Sequence, residues 1–330
     1  MSLSIIKPGL LDTVQDLGRA GYGQWGINPG GAMDRYAAQV ANMLVGNCSN
    51  EAVLEIHFPG PQILFEQNAL ISITGADFSP MLNDEPVSLW RPIVMRKNTL
   101  LHFPKHKWGA RCYLSIHGGL CMDKWLNSYS TNLKAGSGGW QGQPLKKGDE
   151  LSQKEGTIYF PAFLREQKNI RSLPWSADSK KMYRHLHEIF VMEGNEWEAL
   201  TQSSRNNFLE NNFIIHPSSD RMGYHLNGTP ILLSEQIELV SSAVSFGTLQ
   251  LLPSGQLIVL MADHQTTGGY PRIGHVITAH LSKLAQLRPS DVIQFKMVTA
   301  QKAEELLLQQ HQDMNILKRS CQEHLNGMIC

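Results

Sequence analysis

The sequence lacks an excess of charge of either sign. Lys and Arg together number 29, Asp and Glu together number 29, and the formal net charge is zero. Proteins that bind nucleic acid or anionic membrane surfaces usually draw their affinity from an excess of basic residues. The composition therefore disfavours both of these classes of protein.

Long apolar runs are also missing. No stretch of the sequence approaches the roughly 20 apolar residues that a helix needs to cross a bilayer. The first residues, "MSLSIIKPGLLDTVQD", do not show the basic segment and apolar segment of a secretory signal. We therefore expect a cytoplasmic protein.

Cysteine is scarce, and no two cysteines have the spacing C-x-x-C. The five cysteines are Cys48, Cys112, Cys121, Cys321 and Cys330. An odd number without paired spacing argues against a disulfide framework and against a thiolate zinc site. Histidine is more frequent, with thirteen residues, but only "HLH" and "HFPKH" bring two of them close together. Neither pair lies beside a cluster of carboxylates, so no metal site is predicted.

Most of the chain consists of short apolar stretches separated by Gly, Pro and Asn. Examples are "QILFEQNALISITGAD", "PIVMRKNTLLHF", "ARCYLSIHGG" and "GQLIVLMAD". Such punctuation is typical of strands and turns. The sequence predicts a mainly β protein with a few helices.

Three segments have helical patterns. The clearest runs from Met33 to Val45, where apolar residues recur at helical spacing, Asp34 lies in the first turn and Gly46 follows as a C-cap. A second helix is predicted at about Glu196 to Leu209. A third is predicted at about Ala300 to His324, with charged residues and glutamines on its open face.

The chain contains a weak internal repeat. "ISITGAD" ends at Asp77 and "LIVLMAD" ends at Asp263, and each is followed later by a related turn-and-strand segment, "LKKGDEL" and "LRPSDVI". We predict two related β-rich domains, residues 1–155 and 185–299. Residues 156–184, which are rich in charge, Pro and Ser, would form the linker, and residues 300–330 the C-terminal helix.

The first of three unusual polar segments is "TVQDLGRAGYGQWGINPGGAMD", residues 13–34. It contains six glycines together with Gln15, Asp16 and Arg19. Glycines permit close approach of a ligand to the backbone, and the segment leads into a helix N-terminus, which favours anions. The same pattern also describes a glycine-rich surface loop before a capped helix, and both interpretations remain open.

The second polar segment is "HPSSDRMGYHL", residues 216–226. Asp220 and Arg221 are adjacent in it. The pair fits a solvated turn, or it places a guanidinium group that binds a carboxylate or carbonyl group through two hydrogen bonds.

The third polar segment is "ADHQTTGGYPRIG", residues 262–274. Asp263 ends an apolar strand, so the side chains that follow emerge at a strand end. These side chains carry an amide, two hydroxyls and a phenol, from Gln265, Thr266, Thr267 and Tyr270. The set suits a small amide or carbonyl compound better than a phosphate, and the sequence contains no G-x-x-x-x-G-K-[ST] phosphate-binding motif. Strand alternation places His264 on the opposite face, which favours a structural role for it.

These segments belong to a set of motifs that occur in order over residues 10–295. The motifs are "TVQDLGRAGY", "GGAMD", "LVGN", "ITGAD", "STNLKAGSGG", "SDRMGY" and "ADHQTTGGYPRIG". With them the sequence resembles the biotin-dependent carboxyltransferase family, also called the allophanate hydrolase subunit 2 family. That family includes the C subunit of prokaryotic ATP-dependent 5-oxoprolinase, an antagonist of a sporulation-kinase inhibitor, and part of the carboxyltransferase region of urea carboxylase. The resemblance is closest to the 5-oxoprolinase type.

The resemblance implies two tandem cyclophilin-like β-barrel domains. It implies ATP-dependent opening of 5-oxo-L-proline to L-glutamate, carried out with two partners, the B subunit of 5-oxoprolinase (allophanate hydrolase subunit 1-like) and the A subunit of the same enzyme. It leaves open whether ATP contacts this chain or only the partner subunits. No A-M-K-M sequence occurs, so no biotin would be attached to this chain.

The resemblance also implies site residues and two alternative functions. The implied catalytic residues are Asp263, Asp220, Thr266 and Thr267. The implied substrate-binding residues are Arg221, Gln265, Tyr270, Gln15, Asp16 and Arg19. The alternatives are a urea or amide carboxyltransferase component that receives carboxybiotin from another protein, and a regulatory binding protein that antagonises a kinase inhibitor.

Overall fold

The computed structural model describes residues 2–154 and 171–327. Strands dominate these residues, which confirms the prediction of a mainly β protein with a few helices. The chain divides into two compact units. The first comprises Met1–Gly18, Asp34–Met182 and Gln312–Cys330, and the second comprises Arg19–Met33 and Tyr183–His311. Each unit has its own hydrophobic core.

The first unit is built from two antiparallel sheets of six strands each. The strands are β1 (Ser2–Lys7), β2 (Thr13–Gln15), β3 (Val53–His57), β4 (Gln62–Phe65), β5 (Ala69–Asp77), β6 (Met81–Leu82), β7 (Glu85–Pro86), β8 (Pro92–Met95), β9 (Thr99–His102), β10 (Trp108–Ile116), β11 (Glu150–Ser152) and β12 (Arg171–Ser172). One sheet has the order β11-β1-β4-β9-β6-β7 and the other β12-β8-β5-β10-β3-β2.

Helix α1 (Arg35–Leu44) packs against β5 and β10 in the first unit. It begins after Asp34, whose carboxylate accepts a hydrogen bond from the backbone N–H of Ala37 at 2.9 Å. The Thr74 hydroxyl donates to the carbonyl of Ala37 at 2.8 Å, which ties the helix to the sheet. The helix that the sequence predicts over residues 33–45 is therefore present, with Asp34 as its N-cap rather than in its first turn.

The second unit is a closed barrel of seven strands in the order β13-β20-β17-β18-β15-β14-β21. These strands are β13 (Glu188–Glu193), β14 (Phe213–Ile215), β15 (Gly223–Asn227), β17 (Thr248–Leu251), β18 (Leu257–Leu260), β20 (Arg272–Val276) and β21 (Val292–Met297). Two short strands, β16 (Ser242–Ala243) and β19 (Thr267–Gly268), pair with each other. The closed barrel agrees with the barrel that the resemblance implies for this half of the chain.

The remaining helices confirm the other two helical predictions and add two further elements. The described residues contain α2 (Lys180–Tyr183), α3 (Gln202–Glu210), α4 (Thr278–Ala285) and α5 (Ala300–Asn326). The segment predicted as a helix from 196 to 209 forms a 3-10 turn, Trp197–Ala199, followed by α3. The break lies at Thr201, whose hydroxyl caps α3 by accepting from the N–H of Ser204 at 3.2 Å.

The pairing of β15 with β18 brings two of the polar segments together. In this antiparallel pair Gly223 lies opposite Leu260, so the residues before β15 lie beside the residues after β18. The backbone N–H of Asp263 accordingly donates to the carbonyl of Arg221 at 2.8 Å. The strand that the sequence predicts up to Asp263 ends three residues earlier, at Leu260.

The predicted linker, residues 156–184, overlaps residues 155–170, which lie outside the described part of the chain. The domain boundaries therefore stay a prediction. None of the described helices combines the length and the hydropathy needed to cross a bilayer. Over the same residues there is no group of three or more His, Cys, Asp or Glu side chains placed to hold a metal ion.

Burial of Asp12 in the first unit makes a pH-dependent contribution to stability. Its carboxylate accepts from the N–H of Gly9 at 2.6 Å, but burial raises the pKa of Asp12 from 3.8 to about 7. Between these two values the folded protein keeps a proton that the unfolded chain releases. The free energy of unfolding therefore falls as the pH rises through this window, by about 1.4 kcal/mol per pH unit at most.

We expect Asp12→Asn to remove that slope. Urea unfolding at pH 5 and pH 6 should show the variant gaining stability relative to the wild type by about 1 kcal/mol between the two pH values. Glu150→Gln, at an exposed position of the same unit, is the matched control and should show no such change. An equal pH dependence in the wild type and in Asp12→Asn would contradict the assignment.

Candidate functional site

The second unit contains an ion pair between the buried Arg221 and the partly buried Asp263. The Arg221 Nε donates to Asp263 Oδ2 at 2.8 Å, and its Nη2 donates to Asp263 Oδ1 at 3.1 Å. The same Nη2 also donates to the carbonyl of Gly31 at 2.7 Å. Arg221 is only 6% exposed. Two parallel hydrogen bonds fix the plane of the guanidinium group, which is a geometry that lysine does not reproduce.

The glycine-rich segment of the second unit packs against this ion pair. The Asn28 side-chain amide donates to the carbonyl of Asp263 at 2.9 Å. Gly30 has a φ of +59°, and a Cβ atom there would lie 2.9 Å from Arg19 Nη1 and 3.6 Å from Asp263 Oδ1. Glycine is therefore needed at position 30 both for its backbone conformation and for space. It allows a second buried guanidinium, that of Arg19, to approach the pair.

The loop after Asp263 presents polar side chains to the outside. Gln265 and Thr267 are exposed, Thr266 is half-buried, and Tyr270 is 45% exposed. The loop is held in place by the pairing of β19 with β16 and by the N–H of Val244, which donates to the carbonyl of Thr266 at 3.2 Å. This half of the site is thus a set of hydrogen-bonding groups on a fixed backbone.

His264 lies in the turn after β18, so the strand alternation used to predict its direction does not apply there. It is buried, and its Nδ1 lies 2.6 Å from the carbonyl oxygen of Gln265. This contact sets the direction of the backbone at the start of the loop, which favours a structural role.

Asp220 shapes the turn that precedes β15. Its Oδ1 accepts from the backbone N–H groups of Met222 at 2.7 Å and Gly223 at 3.2 Å. Such bonds are typical of a turn stabilised by an aspartate side chain. The interpretation as a turn therefore holds for Asp220. The adjacent Arg221 directs its guanidinium to Asp263 of the same unit, and binding of a ligand group by Arg221 stays a prediction.

The two predicted site residues of the first unit, Gln15 and Asp16, lie at the end of β2. Asp16 is buried, and its carboxylate oxygens accept four hydrogen bonds. The donors are the N–H of Gly18 at 2.7 Å, the N–H of Tyr129 at 2.7 Å, the hydroxyl of Ser128 at 2.7 Å and the hydroxyl of Ser130 at 2.5 Å. Asp16 therefore holds the loop 128–130 in place, which favours a supporting role over direct binding of substrate.

Gln15 is fully buried in the first unit. Its amide donates to the Thr13 hydroxyl at 3.0 Å, so the side chain is engaged within its own strand. Close to Asp16, burial lowers the pKa of Arg35, and the negative charge of Asp16 partly offsets this effect. The structure thus brings together Arg19, Arg221, Asp263 and the loop to Tyr270 in the second unit, and Gln15 and Asp16 in the first.

Sequence reasoning missed Gln250, which lies in β17. Gln250 is 1% exposed, and its Oε1 accepts from Gln265 Nε2 at 3.3 Å. The available signal was a glutamine inside the apolar stretch "TLQLL". All four residues of β17 are buried, so the period-two alternation that would mark Gln250 as an inward polar residue is missing.

The arrangement in the second unit can recognise a small anion with a polar carbonyl group. Arg19 and Asp263 lie beside Gly30, Arg221 donates to the Gly31 carbonyl, and the three charges sum to +1. The exposed amide and hydroxyls of the following loop supply neutral donors and acceptors. A molecule with a carboxylate joined to an amide offers a complementary group to the charged side chains and another to the polar loop.

Comparison with known proteins relates the chain to carboxyltransferases. Residues 25–297 match the family model described as carboxyltransferase domain, subdomain A and B. The chain is similar to the C subunit of 5-oxoprolinase from Haemophilus influenzae, with 37% identity covering 89% of this chain and 90% of the relative. It is similar to the C subunit of 5-oxoprolinase from Escherichia coli, with 35% identity covering 91% and 93%.

Larger proteins contain a region similar to this chain. The urea amidolyase of Lachancea kluyveri is 29% identical over 92% of this chain, which spans 17% of that protein. Among solved structures, the Kluyveromyces lactis urea carboxylase matches 96% of this chain with a TM-score of 0.83 and 27% identity, and the chain spans 29% of its length.

Proposed function

Because the chain belongs to the carboxyltransferase subdomain A and B family, we propose that it is a component of an ATP-dependent 5-oxoprolinase, which converts 5-oxo-L-proline to L-glutamate. The observation that carries the proposal is the match with both 5-oxoprolinase C subunits over about nine-tenths of each protein. The match with urea amidolyase is lower in identity and covers a small part of that protein.

The cluster in the second unit suits the groups of 5-oxoproline. The carboxylate of 5-oxoproline would bind at the guanidinium groups of Arg19 and Arg221. The lactam of 5-oxoproline would contact the side chains of Gln265, Thr266, Thr267 and Tyr270, and the Gln265 amide would supply a hydrogen bond to its carbonyl group. Gln15 and Asp16 would serve within the first unit, Asp16 through the loop that it holds.

Opening of the lactam develops negative charge on the carbonyl oxygen. A lactam is stabilised by amide resonance, so unassisted attack by water is slow. Coupling to ATP hydrolysis would drive the ring opening. The hydroxyls of Thr266 and Thr267 would donate to the developing oxyanion. Asp263 and Asp220 are the two carboxylates implied to be catalytic, as the base or as the group that orients it. Both oxygens of Asp263 bind Arg221, whereas the exposed Asp220 uses only Oδ1 for its turn. We therefore assign Asp263 to positioning of Arg221, and we leave Asp220 as the candidate base.

We assign ATP to the two partners, the A and B subunits of the enzyme. The charges of Arg19, Arg221 and Asp263 sum to +1, and this matches one carboxylate better than a triphosphate. The sequence also lacks a P-loop. The chain would thus act as a hydrolase only within the assembled enzyme, which we place in the cytoplasm.

Reconstitution tests the proposal directly. The chain is co-purified with the A and B subunits, and glutamate release from 5-oxoproline and ATP is measured with and without it. We expect release only with the full set. Release that is unchanged when this chain is omitted, or absent when all three are present, would contradict the proposal.

A second candidate is transfer of a carboxyl group to urea or a related amide. The similarity to urea amidolyase and urea carboxylase supports it. Carboxybiotin would have to arrive on another protein, because this chain has no A-M-K-M attachment sequence. Urea-dependent consumption of carboxybiotin by the chain and its partners, without glutamate release from 5-oxoproline, would favour this candidate.

A further inference from the structure

We propose that Gln250 is a positioning residue that orients the Gln265 amide, and that the oriented amide selects substrates carrying an N–H next to their carbonyl group. The second half of this inference rests on the proposed function, because it concerns the same loop. The first half depends only on contacts within the second unit.

The two glutamines differ sharply in exposure. Gln250 is buried in β17, between β18 and β20, whereas Gln265 is exposed on the loop. The bond from Gln265 Nε2 to Gln250 Oε1, at 3.3 Å, is the one hydrogen bond of the Gln265 side chain over the described residues. A buried acceptor thus anchors an amide that faces outward.

The absence of a side chain at Gly268 leaves room for the Gln250 amide. A Cβ atom at Gly268 would collide with Gln250 Nε2. The φ of Gly268 lies outside the left-handed region, so backbone conformation does not demand glycine there. The space is instead taken by the Gln250 amide, whose Nε2 is buried and has no hydrogen-bond acceptor among the residues that the structure describes. Gly268 therefore leaves the space that the Gln250 amide occupies, and a larger residue there would displace the end of that side chain.

The anchored amide has a defined hydrogen-bonding capacity. A primary amide has two N–H donors and one carbonyl acceptor. Since one N–H of Gln265 is held by Gln250, one N–H and the carbonyl oxygen remain for a ligand. Lactams and ureas carry an N–H and a C=O on the same edge and match both groups. An N-methylated lactam loses the donor and would leave the Gln265 oxygen without its partner.

A pair of neighbouring glycines provides the test. Gly268→Ala would displace Gln250, while Gly269→Ala adds the same methyl group at a position where the nearest atom, Ser241 Oγ, lies 3.3 Å away. In the assembled enzyme we expect Gly268→Ala to raise KM for 5-oxoproline about 10-fold and to keep kcat within twofold. The reason is that the Gln265 contact is made equally in the ground state and in the transition state, so its loss weakens binding without slowing the chemical step. Gly269→Ala should change neither constant by more than twofold.

Two further readouts separate positioning from a structural effect. In a Gln250→Ala background, Gly268→Ala should cause no further rise in KM, because the Gln250 side chain that the new methyl group would displace is absent. The wild-type preference for 5-oxoproline over N-methyl-5-oxoproline should be at least 10-fold and should shrink to about twofold in Gly268→Ala. Equal KM values for Gly268→Ala and Gly269→Ala, or equal use of the two lactams by the wild type, would overturn the inference while the proposed function stood.

Failure of the proposed function is recognised separately, as a wild-type complex that releases no glutamate. In that case the side-chain amide NMR signals of Gln265 in the ¹⁵N-labelled chain decide the positioning role. Gly268→Ala should shift these signals and Gly269→Ala should not. Signals that respond equally to both substitutions would overturn it.

Discussion

Asp263→Asn is expected to lower kcat/KM of the assembled enzyme for 5-oxoproline by about 10³-fold, which corresponds to about 4 kcal/mol of transition-state binding. The carboxylate of Asp263 binds Arg221 through both oxygens. Asparagine keeps one acceptor but turns an N–H group toward the guanidinium. Arg221 would then lose its fixed plane, and the substrate carboxylate would lose its orientation relative to the loop.

The loss of activity should not result from unfolding, although the free energy of unfolding falls because the buried Arg221 charge loses its partner. Asparagine has the same shape as aspartate, and the Gly31 carbonyl still accepts from Arg221. Circular dichroism and co-purification with the partner subunits should therefore remain as in the wild type. Glu210→Gln, which alters an exposed carboxylate at the end of α3, serves as the control. Full activity of Asp263→Asn with all partners present would remove Asp263 from the mechanism.

A double-mutant cycle would show that the two residues act together. Arg221→Lys keeps the positive charge but loses the bidentate geometry. If Asp263 works by orienting Arg221, Asp263→Asn should cost much less activity in the Arg221→Lys background than in the wild type. Independent effects of the two substitutions would show that Asp263 acts on the reaction by another route.

The contact between Arg221 and Asp263 shows which part of the site could not be predicted from the sequence. The polar residues after "LIVLM" were predicted to emerge at a strand end, and they do. Arg221, 42 positions earlier, was predicted as a separate candidate. The two meet because β15 pairs with β18, and strand pairing depends on long-range packing that local patterns do not encode.

Helix caps and turns were predictable from the sequence, because they depend on residues that are neighbours in the chain. Asp34 before an amphipathic stripe predicts the start of α1, because an N-cap needs only neighbouring residues. Turn residues between apolar stretches predict the β class for the same reason. The sheet orders and the closure of the second unit into a barrel depend on contacts between distant strands, and only the family resemblance pointed to a barrel.

The site was less predictable than the fold because its polar residues serve two purposes. Gln250 looks like an ordinary member of a buried strand, yet it holds the exposed Gln265. Asp16 looks like part of a binding loop, yet its oxygens are occupied by donors more than 110 positions away in the sequence. A sequence identifies unusual residue types, and only the contacts distinguish binding from support.

Asp16→Asn is accordingly expected to produce the largest loss of stability, about 3–5 kcal/mol for the first unit. The carboxylate accepts from two backbone N–H groups and two hydroxyls inside the unit. The asparagine amide would turn two N–H donors toward these groups. The serine hydroxyls can rotate and accept, but the backbone N–H of either Gly18 or Tyr129 would be left buried without an acceptor, and the loop 128–130 would lose its anchor.

Urea unfolding followed by tryptophan fluorescence measures this effect, because Trp125 and Trp140 flank that loop in the sequence. Glu150→Gln again supplies a control of the same charge change at an exposed position of the same unit. If Asp16 bound substrate directly, the substitution would raise KM and leave the unfolding midpoint unchanged. A lower midpoint, with KM close to wild type for the fraction that remains folded, is the result that a supporting carboxylate requires.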